Sequence, residues 1–365
     1  ARIHQHDPET RDPFFRLLLA IAVVWDQPRP QAHRQMGEQV LEPTFRIEDL
    51  YDYFRALYAN NDAKMAYREL SVEALACVVD VAVPISELRW IRENVRGYGR
   101  SWDRKFFEIK YDQSRVSSGH FQWPHGTYSL ANIEKMGGIC VDQAYYAVLT
   151  ARAYGIPALL FVGQGKRGPH AWFGYMEDDD EWEVDAGRFA YDNYETGHAM
   201  VPQRNRMLTD HDLAYLCDRT LRSNRYSEAA RLARAATVLL ALGYLDEAAD
   251  CAVESVEMVP LFKTAWSVYE NVLTAKNDIE KLYDSLEKKA NVFRDYPDVV
   301  AHIKRRQAQL LRENGENKRA DDLLSRSESR LGRERDDLSR ILVSEQINAA
   351  IEAGRPGKAR EHLED

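Results

Sequence analysis

The stretch Gly137-Gly138-Ile139-Cys140-Val141-Asp142-Gln143-Ala144 carries the most chemical information in this chain of 365 residues. A Gly-Gly turn precedes a cysteine that opens a helix-like run, and Gly155 and Pro157 end that run. A thiol at a helix N-terminus lies close to unpaired backbone N–H groups, which stabilise the thiolate. The sequence therefore predicts a helix over 140–154 with a reactive cysteine at its start.

Three short strands are predicted after this helix, at 158–163, 170–176 and 181–187. The last two form a hairpin if 176–179 serves as a four-residue loop. This register places His170 opposite Asp185, with both side chains on the polar face of the hairpin. Opposite side chains have Cβ atoms roughly 5 Å apart. The carboxylate of Asp185 is therefore expected to bond the imidazole of His170.

Cys140, His170 and Asp185 together supply a nucleophile, its base and a group that orients the base. A protonated His170 beside the thiol is expected to help lower the thiol pKa from about 8.5 into the range of about 3.5–7.5. The backbone N–H of Cys140 supplies one donor to an oxyanion. The candidates for the second donor are Gln122, Trp123 and Trp102.

These residues resemble the transglutaminase-like superfamily. The matching blocks, in order, are 137–144, 153–158, His170-Ala171-Trp172 and Trp182-Glu183-Val184-Asp185. The resemblance implies a papain-like α+β core, a Cys140-His170-Asp185 triad, and attack of the thiol on an amide through a thioester. Two positions depart from the family pattern: Ala186 stands where a proline is usual, and Leu159 where an arginine is usual.

The surroundings of the predicted triad give weaker signals. The candidate walls of a substrate cleft are Trp172, Gln164, Lys166 and Arg167. For Trp172 the alternative is plain packing. The glycine-rich 163–168 fails the P-loop pattern, because Pro169 follows its last glycine. No metal-ligand spacing is recognisable, and the acidic run 177–181 is interpreted as a solvated hairpin tip, with calcium binding as the alternative. No cofactor is expected.

Three regions are predicted: a helical part at 1–115, the transglutaminase-like core at 116–215, and helical repeats at 220–365. Turns in the last region, at Gly243, Asn277, Gly315 and Gly354, are spaced by 34 (277 − 243), 38 (315 − 277) and 39 (354 − 315) residues. Such spacings are typical of helical-hairpin solenoids. The stretch 243–248, followed by Pro260, resembles half of a tetratricopeptide repeat, which implies binding of a protein partner. The predicted fold class is α+β with a C-terminal α-solenoid.

Composition excludes several classes of protein. A net charge of −9 without a basic face argues against a nucleic-acid partner. The longest apolar run, 14–25, contains Arg16 and is too short to span a bilayer, so a buried helix is predicted. Four cysteines without a CxxC pair indicate neither a zinc knuckle nor a disulfide framework. The start at Ala1 instead of methionine favours removal of an upstream segment and an extracytoplasmic location, with the cytoplasm left open.

The resulting hypothesis is a cysteine hydrolase or acyltransferase that acts on a peptide or carboxamide bond of a peptide or protein substrate. Hydrolysis is favoured over amine transfer, because water is always present and no lysine-binding feature is recognisable. The alternative is a catalytically silent scaffold, in which the central fold and the repeats bind protein partners without turnover.

Overall fold

A computed structural model describes residues 13–27, 33–42, 45–97, 99, 101–165, 167–178, 181–189, 195–202, 206–332 and 335–364. Over these ranges the chain has seventeen α-helices and one five-stranded antiparallel sheet, which confirms the predicted α+β class. The chain divides into two compact units between Ala214 and Tyr215. The regions predicted at 1–115 and 116–215 therefore contribute to one unit.

Eight helices precede the sheet, and most of them are short. They are α1 (Phe15–Val24), α2 (Ile47–Ala59), α3 (Val72–Val79), α4 (Ile85–Asn94), α5 (Arg104–Glu108), α6 (Gln113–Ser117), α7 (Leu130–Met136) and α8 (Cys140–Ala153). The apolar run 14–25 forms α1, which buries Leu17, Ala20, Ile21 and Val24. Among the described residues, no helix has the length and apolar character needed to cross a bilayer.

Helix α8 is the centre of the first unit. Every residue from Val141 to Ala153 is buried, so the helix is surrounded by protein on all sides. Its small side chains, among them Ala144, Ala147 and Ala151, are completely inaccessible and allow close approach of neighbouring elements. The helix packs against two strands of the sheet and against α3, α4, α5 and α7. Gly155 follows it with φ +76°, as the predicted stop requires.

The sheet has the order β3-β2-β1-β4-β5. Its strands are β1 (Ala158–Gly165), β2 (Gly168–Asp178), β3 (Glu181–Ala186), β4 (His198–Val201) and β5 (Arg206–Thr209). The three predicted strands thus exist, as β1, β2 and β3.

The predicted register between β2 and β3 is wrong. Phe173 faces Ala186 instead of Trp182, a shift of four residues, and Tyr175 faces Glu183 instead of Asp180, a shift of three. Pairing continues to Asp178 and Glu181, so two residues separate the strands where a four-residue loop was expected. The register irregularity between Phe173 and Tyr175 accounts for the difference between the two shifts.

The second unit consists of helices, after the end of α9 (Asp210–Leu216). They are α10 (Tyr226–Leu242), α11 (Leu245–Met258), α12 (Lys263–Ala275), α13 (Ile279–Val292), α14 (Pro297–Glu313), α15 (Asn317–Leu331), α16 (Asp336–Glu352) and α17 (Pro356–Glu364). Each packs against the next along the chain. The four predicted turn residues all have positive φ and lie between helices. The fifth residue after each turn is buried: Ala248, Leu282, Ala320 and Ala359.

Gly137 makes the turn that leads into α8. Its φ is +82°, and a Cβ at this position would overlap the carbonyl oxygen of Lys110. We expect Gly137→Ala to destabilise the first unit by at least about 2 kcal/mol, because strain and overlap act together. Gly119 has φ +71° with open space around it. Gly119→Ala should therefore lower the free energy of unfolding by only about 1 kcal/mol.

Urea unfolding followed by tryptophan fluorescence measures this difference, because six of the seven tryptophans precede residue 215. Equal unfolding midpoints for Gly137→Ala and Gly119→Ala would show that the close approach to Lys110 does not constrain the turn.

Candidate active site

The sulfur of Cys140 lies where the N-terminus of α8 meets strand β2. Three backbone N–H groups lie near enough to favour its thiolate form, those of Ala171, Val141 and Cys140 itself. Ala171 directly follows His170, so this contact brings the thiol beside the backbone of the predicted base. The Cys140 side chain is half-buried. The structure places the thiol at the start of a helix, as predicted.

The expectation of a lowered thiol pKa is wrong for this arrangement. Burial raises the pKa of the Cys140 thiol, and the Asp142 carboxylate two residues further along the helix adds to the rise. The three N–H donors oppose it without overcoming it. The physical reason is that desolvation of a charged sulfur outweighs the helix-end donors. The resting cysteine is therefore a neutral thiol.

The His170 imidazole is buried between two aromatic rings. Phe106 meets it edge-on at 6.2 Å between centroids, and Trp172 stacks on it at 6.0 Å. Its Nε2 is 2.9 Å from the carbonyl oxygen of Gly187. A carbonyl only accepts, so Nε2 carries the proton and Nδ1 is the unprotonated nitrogen. Burial lowers the pKa of His170, which favours this neutral form, the form that a general base needs.

Asp185 does not contact His170, because of the register described above. Strand β3 ends at Ala186, and the Asp185 carboxylate bonds the guanidinium of Arg188 at 2.8 Å. Arg188 also bonds Asp210 at 2.6 Å and the carbonyl oxygen of Glu195 at 2.9 Å. The structure thus gives the predicted orienting acid a different partner. The main chain of Gly187 occupies the place expected for that acid.

For the cysteine-dependent reaction that the sequence predicts, we expect Asp185→Asn to change kcat/KM by no more than about threefold, because an exposed ion pair contributes little and the side chain is 43% exposed. A carboxylate that orients a catalytic imidazole behaves differently, since its amide variant loses on the order of 10⁴-fold in kcat. Steady-state kinetics of the purified variant separates the two cases. A loss of 10³-fold or more would return Asp185 to the triad.

The three oxyanion candidates differ in position. Trp102 donates to the carbonyl oxygen of Gly99 at 3.0 Å and packs on Tyr154, at the opposite end of α8 from the thiol. A helix of this length places the two ends about 20 Å apart, so Trp102 is excluded. Gln122 is exposed and donates to the carbonyl oxygen of Arg34 at 3.3 Å.

Of the three candidates, Trp123 is the one with a buried donor that is not already used. Its side chain is 5% exposed, and its indole N–H has no acceptor among the described residues. The ring lies edge-on to Tyr128, with centroids 5.3 Å apart, and the Tyr128 hydroxyl reaches the first turn of α8. This geometry leaves Trp123 as the remaining indole candidate.

The predicted cleft residues lie around the β1–β2 hairpin. Gly163 pairs with His170, and Gln164 and Arg167 are exposed beyond that pair. Trp172 is completely buried and donates to the Val184 carbonyl oxygen at 2.9 Å, so it supports the imidazole and does not line a cleft. Lys166 lies outside the described residues, as do two positions of the acidic run 177–181. The described part of the chain contains no cluster of metal-ligating side chains.

Two open clefts lie elsewhere. One, of about 660 Å³, lies between α2 and α4 and is lined by Asp52, Tyr53 and Arg89 among others. The other, of about 370 Å³, lies in the second unit along α11 and is lined by Asp250, Glu254 and Tyr269 among others. Neither is lined by Cys140 or His170. The case for the active site therefore rests on its chemistry, not on cleft size.

Asp142 is a functional candidate that sequence reasoning missed. It is completely buried and accepts from the Ile139 N–H at 2.9 Å, which caps α8 just before Cys140. Arg115 bonds it at 2.7 Å and the Tyr128 hydroxyl at 2.8 Å. Burial raises the pKa of Asp142, and these three donors oppose the rise. The available signal was a carboxylate in the first turn of a predicted helix.

Comparison of the chain with protein-family models, with curated proteins and with solved structures gives no match.

Proposed function

We propose that this protein is a cysteine hydrolase or acyltransferase that acts on a peptide-type amide. One observation carries the proposal: the Cys140 sulfur lies near the backbone N–H of Ala171, and the preceding residue, His170, is a neutral imidazole held by the Gly187 carbonyl. A thiol and a base are thus on adjoining elements, at the start of a helix that supplies further N–H donors.

The chemistry starts from a neutral pair. Cys140 Sγ attacks the amide carbonyl while Nδ1 of His170 takes the thiol proton, so a thiolate never has to persist in the buried site. The N–H groups at the start of α8, together with Trp123, stabilise the tetrahedral oxyanion. His170 then gives its proton to the leaving amine, and a thioester remains on the sulfur. Water or a second amine resolves it.

Two resemblances in the sequence support this proposal. The order of the blocks around Cys140, His170 and Asp185 is that of the transglutaminase-like superfamily, and a helix packed on an antiparallel sheet fits its papain-like core. The helices after residue 225, with their regularly spaced turns, fit a tetratricopeptide-like array that binds a protein partner. Substrate recruitment is the role that such an array would have.

The direct test is incubation of the full chain with a peptide library and a primary-amine donor, followed by mass spectrometry. Cleavage, deamidation and amine incorporation each give a different mass change, so one experiment assigns the reaction. Protein alkylated beforehand with iodoacetamide at high pH is the control. No mass change in any peptide, or equal change with alkylated protein, would refute the proposal.

A protein-binding scaffold without turnover is the second candidate. Two observations favour it: the raised pKa of Cys140 and the engagement of Asp185 with Arg188 instead of His170. Both are expected of a core in which the triad is no longer used. A pull-down partner that binds equally to the wild type and to an inactive thiol variant, without any turnover, would favour this function.

A further inference from the structure

A chain of hydrogen bonds, buried at its Asp142 end, joins the segment 33–42 to the start of α8. Nδ1 of His33 accepts from the Gln35 N–H at 3.2 Å, so Nε2 carries the proton and donates to the Tyr128 hydroxyl at 2.7 Å. That hydroxyl donates in turn to Asp142 Oδ1 at 2.8 Å. Each donor has a matching acceptor, and the chain runs in one direction, from His33 to the carboxylate of Asp142.

The charges within this chain are enclosed by protein. Asp142 is 0% and Arg115 4% exposed, and they form an ion pair at 2.7 Å. Burial, followed by the field of Arg115, lowers the pKa of His33 to about 3. The ring is therefore neutral at physiological pH, as the direction of its hydrogen bonds requires. Water does not screen these interactions, so each contributes more than it would on the surface.

We infer that His33, Tyr128, Asp142 and Arg115 form the positioning cluster of the candidate active site, holding the first turn of α8 and the charge beside the Cys140 sulfur. The backbone makes the same connection, because the N–H of Tyr128 donates to the carbonyl oxygen of Gln39 at 2.7 Å. The inference rests on the proposed function, since it takes Cys140 as the reacting group. It gives the segment 33–42 a part in the site.

The sign of the effect on the thiol follows from the charges. Asp142 raises the pKa of Cys140, and its partners reduce that influence by sharing its negative charge. The base on β2, His170, is neutral. On the helices packed against α8, Lys105 bonds Glu108, Glu134 accepts from Tyr146, and Glu87 accepts from the Leu130 N–H. The carboxylate whose charge raises the thiol pKa is that of Asp142, two residues after Cys140.

Two substitutions in the cluster should therefore move the alkylation midpoint of Cys140 in opposite directions. Asp142→Asn removes the negative charge, so the midpoint should fall by about one pH unit, equivalent to tenfold faster alkylation below it. Tyr128→Phe removes a donor and leaves the charge less shared, so alkylation at the same pH should be about threefold slower. A protein that is merely loosened would shift both midpoints the same way.

The measurement is the rate of iodoacetamide labelling at Cys140 against pH, read by peptide mass spectrometry to separate it from Cys77, Cys217 and Cys251. Tyr53→Phe is the matched control, because the Tyr53 hydroxyl donates to the Ala153 carbonyl oxygen at the other end of α8. Its midpoint should equal that of the wild type. His33→Phe should shift the midpoint in the direction of Tyr128→Phe, and the double variant should not be additive.

Unchanged midpoints, shifts of the same sign in Asp142→Asn and Tyr128→Phe, or a wild-type thiol that does not label at any pH would overturn the inference. Should Asp142→Asn fail to fold, Tyr128→Phe and His33→Phe still decide it. The labelling does not require turnover. Opposite shifts in a protein that processes no peptide would therefore refute the proposed function alone.

Discussion

Replacement of Cys140 by alanine is expected to abolish turnover of any peptide substrate, with a loss in kcat of at least about 10⁴-fold. In the proposed reaction the thioester forms on the Cys140 sulfur, so a variant without the sulfur cannot form it. The peptide-library assay, followed by kinetics on the best substrate, measures this loss. Since alanine leaves the fold of α8 intact, circular dichroism and the unfolding midpoint should remain those of the wild type.

Cys217 offers a matched control for this substitution. Burial raises the pKa of its thiol to about 12, so it is inert as a nucleophile near neutral pH. Cys217→Ala should retain full activity. A Cys140→Ala variant that keeps more than a tenth of wild-type activity would show that another residue of the protein carries out the reaction.

The second large effect is expected at His170. In His170→Gln the amide can still donate to the Gly187 carbonyl but cannot accept a proton from the thiol, so kcat should fall on the order of 10³-fold. The pH dependence should change as well. Without the base, only the thiolate reacts, and the residual rate should rise about tenfold per pH unit until the thiol pKa is reached.

The wild type should show the opposite behaviour in mildly acidic solution. Burial lowers the pKa of His170, so the unprotonated form persists below the ordinary histidine value of about 6.5. The rate should therefore hold its plateau as the pH falls through that value and decline only at lower pH. An acidic limb centred at or above 6.5, or a glutamine variant with the wild-type profile, would contradict His170 as the base.

Glycine and proline residues at the ends of the elements were enough to predict the main elements of the site. Gly137 and Gly138 before Cys140, and Gly155 and Pro157 after the helix, fix the bounds of α8 to within one residue. The strands followed from apolar alternation in the same way. Such signals act over a few residues, so they do not depend on how the rest of the chain folds.

The partner of His170 was not predictable in this way, because register depends on the exact position of a loop. The turn between Asp178 and Glu181 is centred two residues further along the chain than the loop assumed, which displaces the register by four residues, and irregular pairing reduces that displacement to three at Tyr175. Side chains alternate with a period of two. The group that bonds His170 is therefore a backbone carbonyl, where the predicted register had the Asp185 carboxylate.

The positioning cluster was missed for a different reason. His33 lies 109 positions before Asp142 (142 − 33), and no local sequence pattern predicts that Tyr128 connects them. A lone histidine and a lone tyrosine have many roles in a protein. Only the packing of the segment 33–42 against the loop that carries Tyr128 brings them into one line of hydrogen bonds.

The acceptor that faces His170 belongs to the main chain, and this has a consequence for mutational scans. No side-chain exchange deletes a carbonyl oxygen, so an alanine scan would identify two indispensable residues at the centre instead of three. The position of this carbonyl oxygen depends instead on the backbone of Gly187. Its φ is +90°, and an added Cβ would come within 2.8 Å of the Phe106 ring. A substitution there would look like a packing defect, although its effect on the site would come from a displaced hydrogen-bond acceptor of His170.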